Sequence, residues 1–332
     1  MAATQQKPVY TVYIISGSTK YNVTPAVIGH ERSDPEGQIA QRVNLQLANV
    51  KVGDTWLSSL LKARNRVFLY ANDGTKEDEV FRGYLWSRVR NDSINEKEIR
   101  YVCYDNLIYF QESEDSLYFS AGKSTESIMS SICNKWGIKL HYSYDGITHE
   151  KMPLRGYLAD IFTADILDLV KKRIKRKYVI LSEKDTMVVR PVGANTTIYH
   201  FIAGKNVTST ESGWTMDGVI TKVIIVGKAD KDDREPIEAT VSGKTDEYGT
   251  LQRIQSKDEN TSLEDAKIEA QNTIDENGEP KWEYKIVAPD IPWIRKGDKI
   301  YVSAGEIDGY RIVTDVDRDS KTNLMTLMLE DV

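Results

Sequence analysis

Residues 294–332 read "IRKGDKIYVSAGEIDGYRIVTDVDRDSKTNLMTLMLEDV", three alternating runs separated by Gly-rich or charged punctuation. Alternation with a period of two puts successive side chains on opposite faces of a sheet, so each run predicts a half-buried strand. Asp315, Asp317 and Asp319 alternate like the start of a calcium loop. Position six of that loop needs Gly and holds Ser320, and position twelve needs Glu and holds Thr326. The three aspartates therefore read as the wet side of a strand that turns between Asp319 and Asn323. The stretch contains no evident catalytic group and predicts β scaffold.

The same rhythm recurs upstream. "PVYTVYII" (8–15), "RVNLQLANV" (42–50), "RVFLYANDGTKEDEVFRGYLWSRVRND" (66–92) and "EKEIRYVCYD" (96–105) predict strands, with Val43, Leu45 and Leu47 on one face and a hairpin at Asn72, Asp73 and Gly74. Between 116 and 195 the period lengthens. "STESIMSSICNKWG" (124–137) predicts a helix capped by Ser124 or Thr125 and ended by Gly137, and a second helix is expected from about Leu158 to Arg176, with Ile161, Ile166, Val170 and Ile174 inward. "KYVILS", "EKD" and "TMVVRPV" read as a hairpin. From 196 onward strands return, interrupted by the helix "SLEDAKIEAQNTIDENG" (262–278), capped at Thr261 or Ser262. "GVITKVIIVGKA" (218–229) is apolar on both faces, which predicts cover by a second layer or a neighbouring chain and makes Val219, Val223 and Ile225 candidate interface residues.

The expected fold is mainly β with an α+β insert. Two β-barrel-like domains, 1–115 and 196–332, flank a small α+β domain at 116–195. Many two-faced strands bury one face by curling or stacking.

Composition narrows the function. The 332 residues are 40 % hydrophobic and 28 % charged, with a formal net charge of -6, which suits a folded protein and disfavours a nucleic-acid partner. Cys103 and Cys133 form no disulfide framework, and four scattered histidines offer no converging ligand pair. "AGKS" (121–124) lacks the first glycine of a phosphate loop, since Leu117 stands there, and reads as a helix cap. There is no apolar run near membrane-spanning length and no leader-like N-terminus, so synthesis in the cytoplasm is expected. No catalytic residue, metal or cofactor is expected. The densest charge feature is "KKRIKRK": Lys171, Lys172, Arg173, Lys175, Arg176 and Lys177 surround Ile174 at a helix end. They complement the helix dipole, and they could also meet a carboxylate-rich partner or nucleic acid.

"GWTMDGVITKVIIVGKA" (213–229), "SLEDAKIEAQNTIDENGEPKWEYKIVAPDI" (262–291) and the closing stretch resemble the XkdQ/YqbQ family of phage and phage-like contractile tails, itself similar to the myovirus baseplate hub and the late-control protein D group. "GKSTESIMSSICNKWGI" and "YLADIFTADILDLVKKRIKRKYVI" resemble that family's central domain. In family hubs the final segment often carries two histidines; here Asp317 replaces the first, and Asn323 or Leu324 stands near the second. The resemblance implies a noncatalytic homotrimer that adapts a sixfold tail tube to a threefold spike. Its implied partners are the tube or a tube-initiator protein, the spike, baseplate wedges and a LysM-containing tail protein. It also implies a particle, phage or DNA-free bacteriocin, that leaves the cell on lysis. The competing readings are a baseplate cell-wall hydrolase and a nucleic-acid binder using residues 171–177.

Overall fold

The computed structural model describes residues 7–92, 97–229, 233–258 and 261–332. The chain divides into a larger unit, Met1–Glu211 with Lys285–Val332, and a smaller one, Ser212–Tyr284.

The larger unit is built on an open sheet. Its strands run in the order Leu324–Asp331, Ile307–Asp319, Val27–Asp34, Arg42–Ala48, Lys97–Tyr104, Glu77–Asp92, Arg66–Asn72, Val9–Ser16 and Thr19–Asn22. Val43, Leu45 and Leu47 lie on one buried face as their alternation predicts, packed with Ile14, Leu69, Leu85, Ile99 and Leu57.

The barrel expectation is wrong, because among the described residues no sheet closes on itself. Val27–Asp34 uses one edge for Arg42–Ala48, with His30 opposite Leu45, and the other for Ile307–Asp319, with Ser33 opposite Asp317. An edge that a barrel would need for closure is thus taken by a strand from the far end of the chain. The path stops at Thr19–Asn22 without returning. Register shifts at Val27/Gly29, Leu69/Tyr70, Leu85/Ser87 and Val313/Asp315 are places where an extra residue bends and twists a strand, so curvature is available without closure. Gly83 is required where strands crowd: a Cβ there would stand 2.1 Å from the carbonyl oxygen of Tyr104.

The helical segment has its own core. Helix Thr125–Lys135 is capped by Ser124, whose hydroxyl accepts from Ser127 N at 3.2 Å, and it buries Ile128, Met129 and Ile132. The second predicted helix is interrupted. Leu158–Asp160 is α, Ile161–Leu167 is π, and Asp168–Ile174 is α, ending at Lys175 in the left-handed conformation. The sequence explains this: Ile161 and Phe162 recur as Ile166 and Leu167 five residues on, and only i→i+5 winding keeps all four on the buried side. Strands Tyr178–Glu183 and Thr186–Pro191 form a hairpin whose two turn residues, Lys184 and Asp185, both have positive φ. Asp185 accepts from Arg66 at 2.7 Å and Arg82 at 3.2 Å, fastening the hairpin tip to the N-terminal strands.

The smaller unit is likewise no barrel. Lys222–Val226 sits between Ile237–Ser242, antiparallel, and Gln252–Ser256, parallel. Helix Leu263–Asn277, capped by Ser262, lays Ala266, Ala270 and Ile274 over Ile220, Val223 and Ile225. One helix covers one face of three strands, and a sheet this narrow has too few strands to curl shut.

Candidate functional site

The strongest concentration of chemistry is a buried ionic seam in the larger unit, where residues 290–298 meet Val27–Asp34 and Ile307–Asp319. Arg318 Nε donates to Asp290 Oδ1 at 3.0 Å, and Arg318 also reaches the carbonyls of Ile291 and Ile294. Tyr10 OH donates to the other oxygen of Asp290. Arg32, fully buried, donates to the carbonyls of Val80 at 3.0 Å and Pro292 at 2.7 Å. Arg295 Nε donates to Asp34 Oδ2 at 2.6 Å, Lys296 Nζ stands 3.7 Å from Asp34 Oδ1, and Arg190 pairs with Asp298 at 2.6 Å.

These environments set the titrations. Burial alone would raise Asp34, yet Arg295 and Lys296 outweigh it and hold the carboxyl at about 2. His30 packs edge-on to Tyr10 at 4.6 Å; burial and then Arg32 lower it to about 4, so the ring is neutral near pH 7. Burial pushes Asp105 up to about 7 against the pull of the Gln41 and Leu107 N–H groups, which donate to it at 2.8 and 2.9 Å. Such a seam favours one strand register, since Asp34, Asp290 and Asp298 meet their cations only there. Its charged groups Arg32, Asp34, Asp290 and Arg318 are all buried. The sequence signal for it was an Arg and an Asp within the otherwise half-buried strand Val27–Asp34 and a charge-dense "IRKGDK".

The sequence-predicted residues fall elsewhere. In the basic run, Arg176 pairs with Asp145 at 3.3 Å and Lys177 with Glu330 at 2.6 Å. Among the described residues Lys171, Lys172, Arg173 and Lys175 make no ion pair, and all but the half-buried Lys171 are exposed. Val223 and Ile225 face the helix within the smaller unit, and Val219 is buried beside that strand. The second layer inferred from the two-sided apolar pattern is thus supplied on one side by Leu263–Asn277. On the other side Ile224 lies opposite Ile254, which is 62 % exposed. Cys103 and Cys133 are buried free thiols. His149 Nε2 lies 2.8 Å from Thr125 Oγ1, and among the described residues no three His, Cys, Asp or Glu side chains converge as metal ligands would. Asp315 and Asp319 serve the backbone, accepting from Glu36 N at 3.0 Å and Lys321 N at 2.8 Å.

A family model described as YQBQ-like matches residues 60–330. The chain belongs to that family. No curated protein sequence matches it. In fold it is similar to the 43 kDa tail protein of prophage MuSo2 from Shewanella oneidensis, at 14 % identity and TM-score 0.69, over 96 % of this chain and 98 % of that one. A tail protein from Neisseria meningitidis MC58 matches at 13 % identity and TM-score 0.69, over 97 % and 96 %. The E. coli c3393 protein, a type VI secretion component described as structurally similar to T4 tail proteins gp27 and gp5, matches at 10 % identity and TM-score 0.56, over 92 % and 74 %. As a YQBQ-like protein, the chain shares its fold almost end to end with tail proteins.

Proposed function

We propose that this YQBQ-like protein is the structural hub of a phage or phage-like tail, joining the tail tube to the spike without catalysing a reaction. The observation that carries the reading is the likeness of nearly the whole chain to tail proteins of similar length. The ionic seam suits the role: an adaptor transmits load only if its strands cannot slip, and paired buried charges penalise slippage.

The assembled form is proposed to be a homotrimer within the baseplate, contacting the tube or its initiator, the spike, wedges and a LysM-containing tail protein. It would be made in the bacterial cytoplasm and leave in a particle of contractile type. Residues 1–115, 116–195 and 196–332 are proposed as the domains of the chain. Lys171, Lys172, Arg173, Lys175, Arg176 and Lys177 are the proposed contact for a partner's carboxylates. Val219, Val223 and Ile225 back a proposed protomer contact whose outer side carries Ile224 and Ile254.

Native mass measurement of the chain co-expressed with its tube and spike proteins tests the reading. Three copies per spike complex are expected, and two or six would overturn it. Robust peptidoglycan cleavage abolished by one carboxylate substitution would favour the hydrolase instead.

A further inference from the structure

Charge is divided unevenly along the chain. Seventeen of its 50 Asp and Glu but only nine of its 44 Lys and Arg fall within Ser212–Tyr284, so the smaller unit carries -8 and the rest of the chain +2. Helix Leu263–Asn277 shows the acidic side of this division. Its buried residues Ala266, Ala270 and Ile274 face the sheet, and the 3.6-residue period then turns Asp265, Ile268, Asp275 and Glu276 outward. Lys267 is the one basic residue in its sequence, and it pairs with Glu264 at 2.9 Å. Asp265, Glu269, Asp275 and Glu276 make no ion pair among the described residues. Asp275 and Glu276 stand near the negative end of the helix dipole, where the last turn has no basic residue. A cation from outside the helix relieves that repulsion. Amid these carboxylates Ile268 is 58 % exposed.

The basic run has the opposite sign and the same layout. Lys172 and Arg173 lie three and four residues after Leu169, which is 43 % exposed, so charge and apolar side chain share one face of Asp168–Ile174. Four cations without an ion pair among the described residues, Lys171, Lys172, Arg173 and Lys175, thus answer four such carboxylates.

We infer that the occupant of the basic run is the outer face of Leu263–Asn277 in a second copy of the chain, with Leu169 packed against Ile268 inside a rim of opposite charges. The inference rests on the reading of the run as a contact for carboxylates and names the partner. The two faces differ, so the contact is head-to-tail. Each copy offers its run to one neighbour and its helix to another, an arrangement that can close into a ring. A polynucleotide would match the run but leave the acidic helix face without an occupant.

Sedimentation velocity of the purified full chain tests it. The variant Glu269→Lys/Asp275→Lys/Glu276→Lys should self-associate at least about tenfold more weakly than wild type. It should keep its fold, because cations suit that helix end. Lys172→Glu/Arg173→Glu/Lys175→Glu should lose association to the same extent. Mixing the two variants brings an unaltered run to an unaltered helix and opposite charges to the altered pair, so the mixture should associate where neither variant does alone. Ile268→Gln, which leaves every charge in place, should also weaken association. A wild-type chain that stays monomeric at about 100 µM and low salt, unchanged association of the helix variant, or a mixture that stays monomeric would overturn the inference. If circular dichroism finds the run variant unfolded, the helix variant alone decides. A run variant that fails to join the tube or spike proteins while still self-associating sinks this inference and leaves the hub reading standing. Two or six copies in the spike complex do the reverse.

Discussion

Replacing Asp34 by Asn probes the ionic seam at its most buried carboxylate. Asp34 is held at about 2 against an ordinary 3.8, so its ionised form is favoured in the fold by about 2 kcal/mol at neutral pH. Asn keeps the shape and removes the charge, leaving the Arg295 guanidinium and the Lys296 ammonium without their counter-ion in a site where neither reaches much water. Breaking a buried pair in this one-sided way costs about 3–5 kcal/mol. The sign with pH follows: the native pKa is depressed, so the stabilisation is full above about 4 and fades as pH falls towards 2. Hydrogen exchange of the Val27–Asp34 and Ile307–Asp319 amides reads the seam directly. Protection at neutral pH should drop by about two to three and a half decades in D34N. Urea unfolding of the variant should also lose the acid dependence between pH 4 and 2. A loss below about 1 kcal/mol, with the acid limb intact, would refute the claim that this pair locks the strands.

Three further outcomes are expected. His30 is neutral in the fold with its pKa lowered to about 4 from 6.5, so stability should fall as pH drops from 6.5 towards 4; His30→Phe should flatten that limb in a pH series of urea midpoints. Gly83→Ala forces a Cβ to 2.1 Å from the Tyr104 carbonyl and should cost at least about 1–3 kcal/mol by overpacking, read by chemical denaturation. Ile225→Ala empties the core beneath Leu263–Asn277 and should cost about 2–5 kcal/mol, seen as lost amide protection in Lys222–Val226.

Local pattern was legible in the sequence and long-range pairing was not. The alternation of Val43, Leu45 and Leu47, the caps at Ser124 and Ser262 and the hairpin at residues 183–186 could be read because each depends on neighbours within a few residues. The barrel expectation failed because closure depends on which edge finds which. Nothing in "VIGHERSD" announces that its second edge belongs to Ile307–Asp319. The π-helix hid because Ile166, Val170 and Ile174 fall four apart as in an α-helix, and only the step of five from Ile161 to Ile166 departs from that period. The seam was missed because an Arg in a half-buried strand looks like the wet face until its partners are known. Trp86 was read only as strand, since the register shift between Leu85 and Ser87 is a property of the sheet.

The pairing of Val27–Asp34 with Ile307–Asp319 also bears on how the protein is made. At about 5–20 residues per second the ribosome needs roughly a quarter of a minute to a minute after the first of these strands emerges before it delivers the second. For that interval the nascent chain carries an unpaired edge in the middle of its future sheet, a template for wrong partners and for chaperones. Closing so long a loop makes the last step slow and cooperative. A chain terminated before Ile307 lacks the strand that pairs with this edge, so its sheet keeps Val27–Asp34 half-paired.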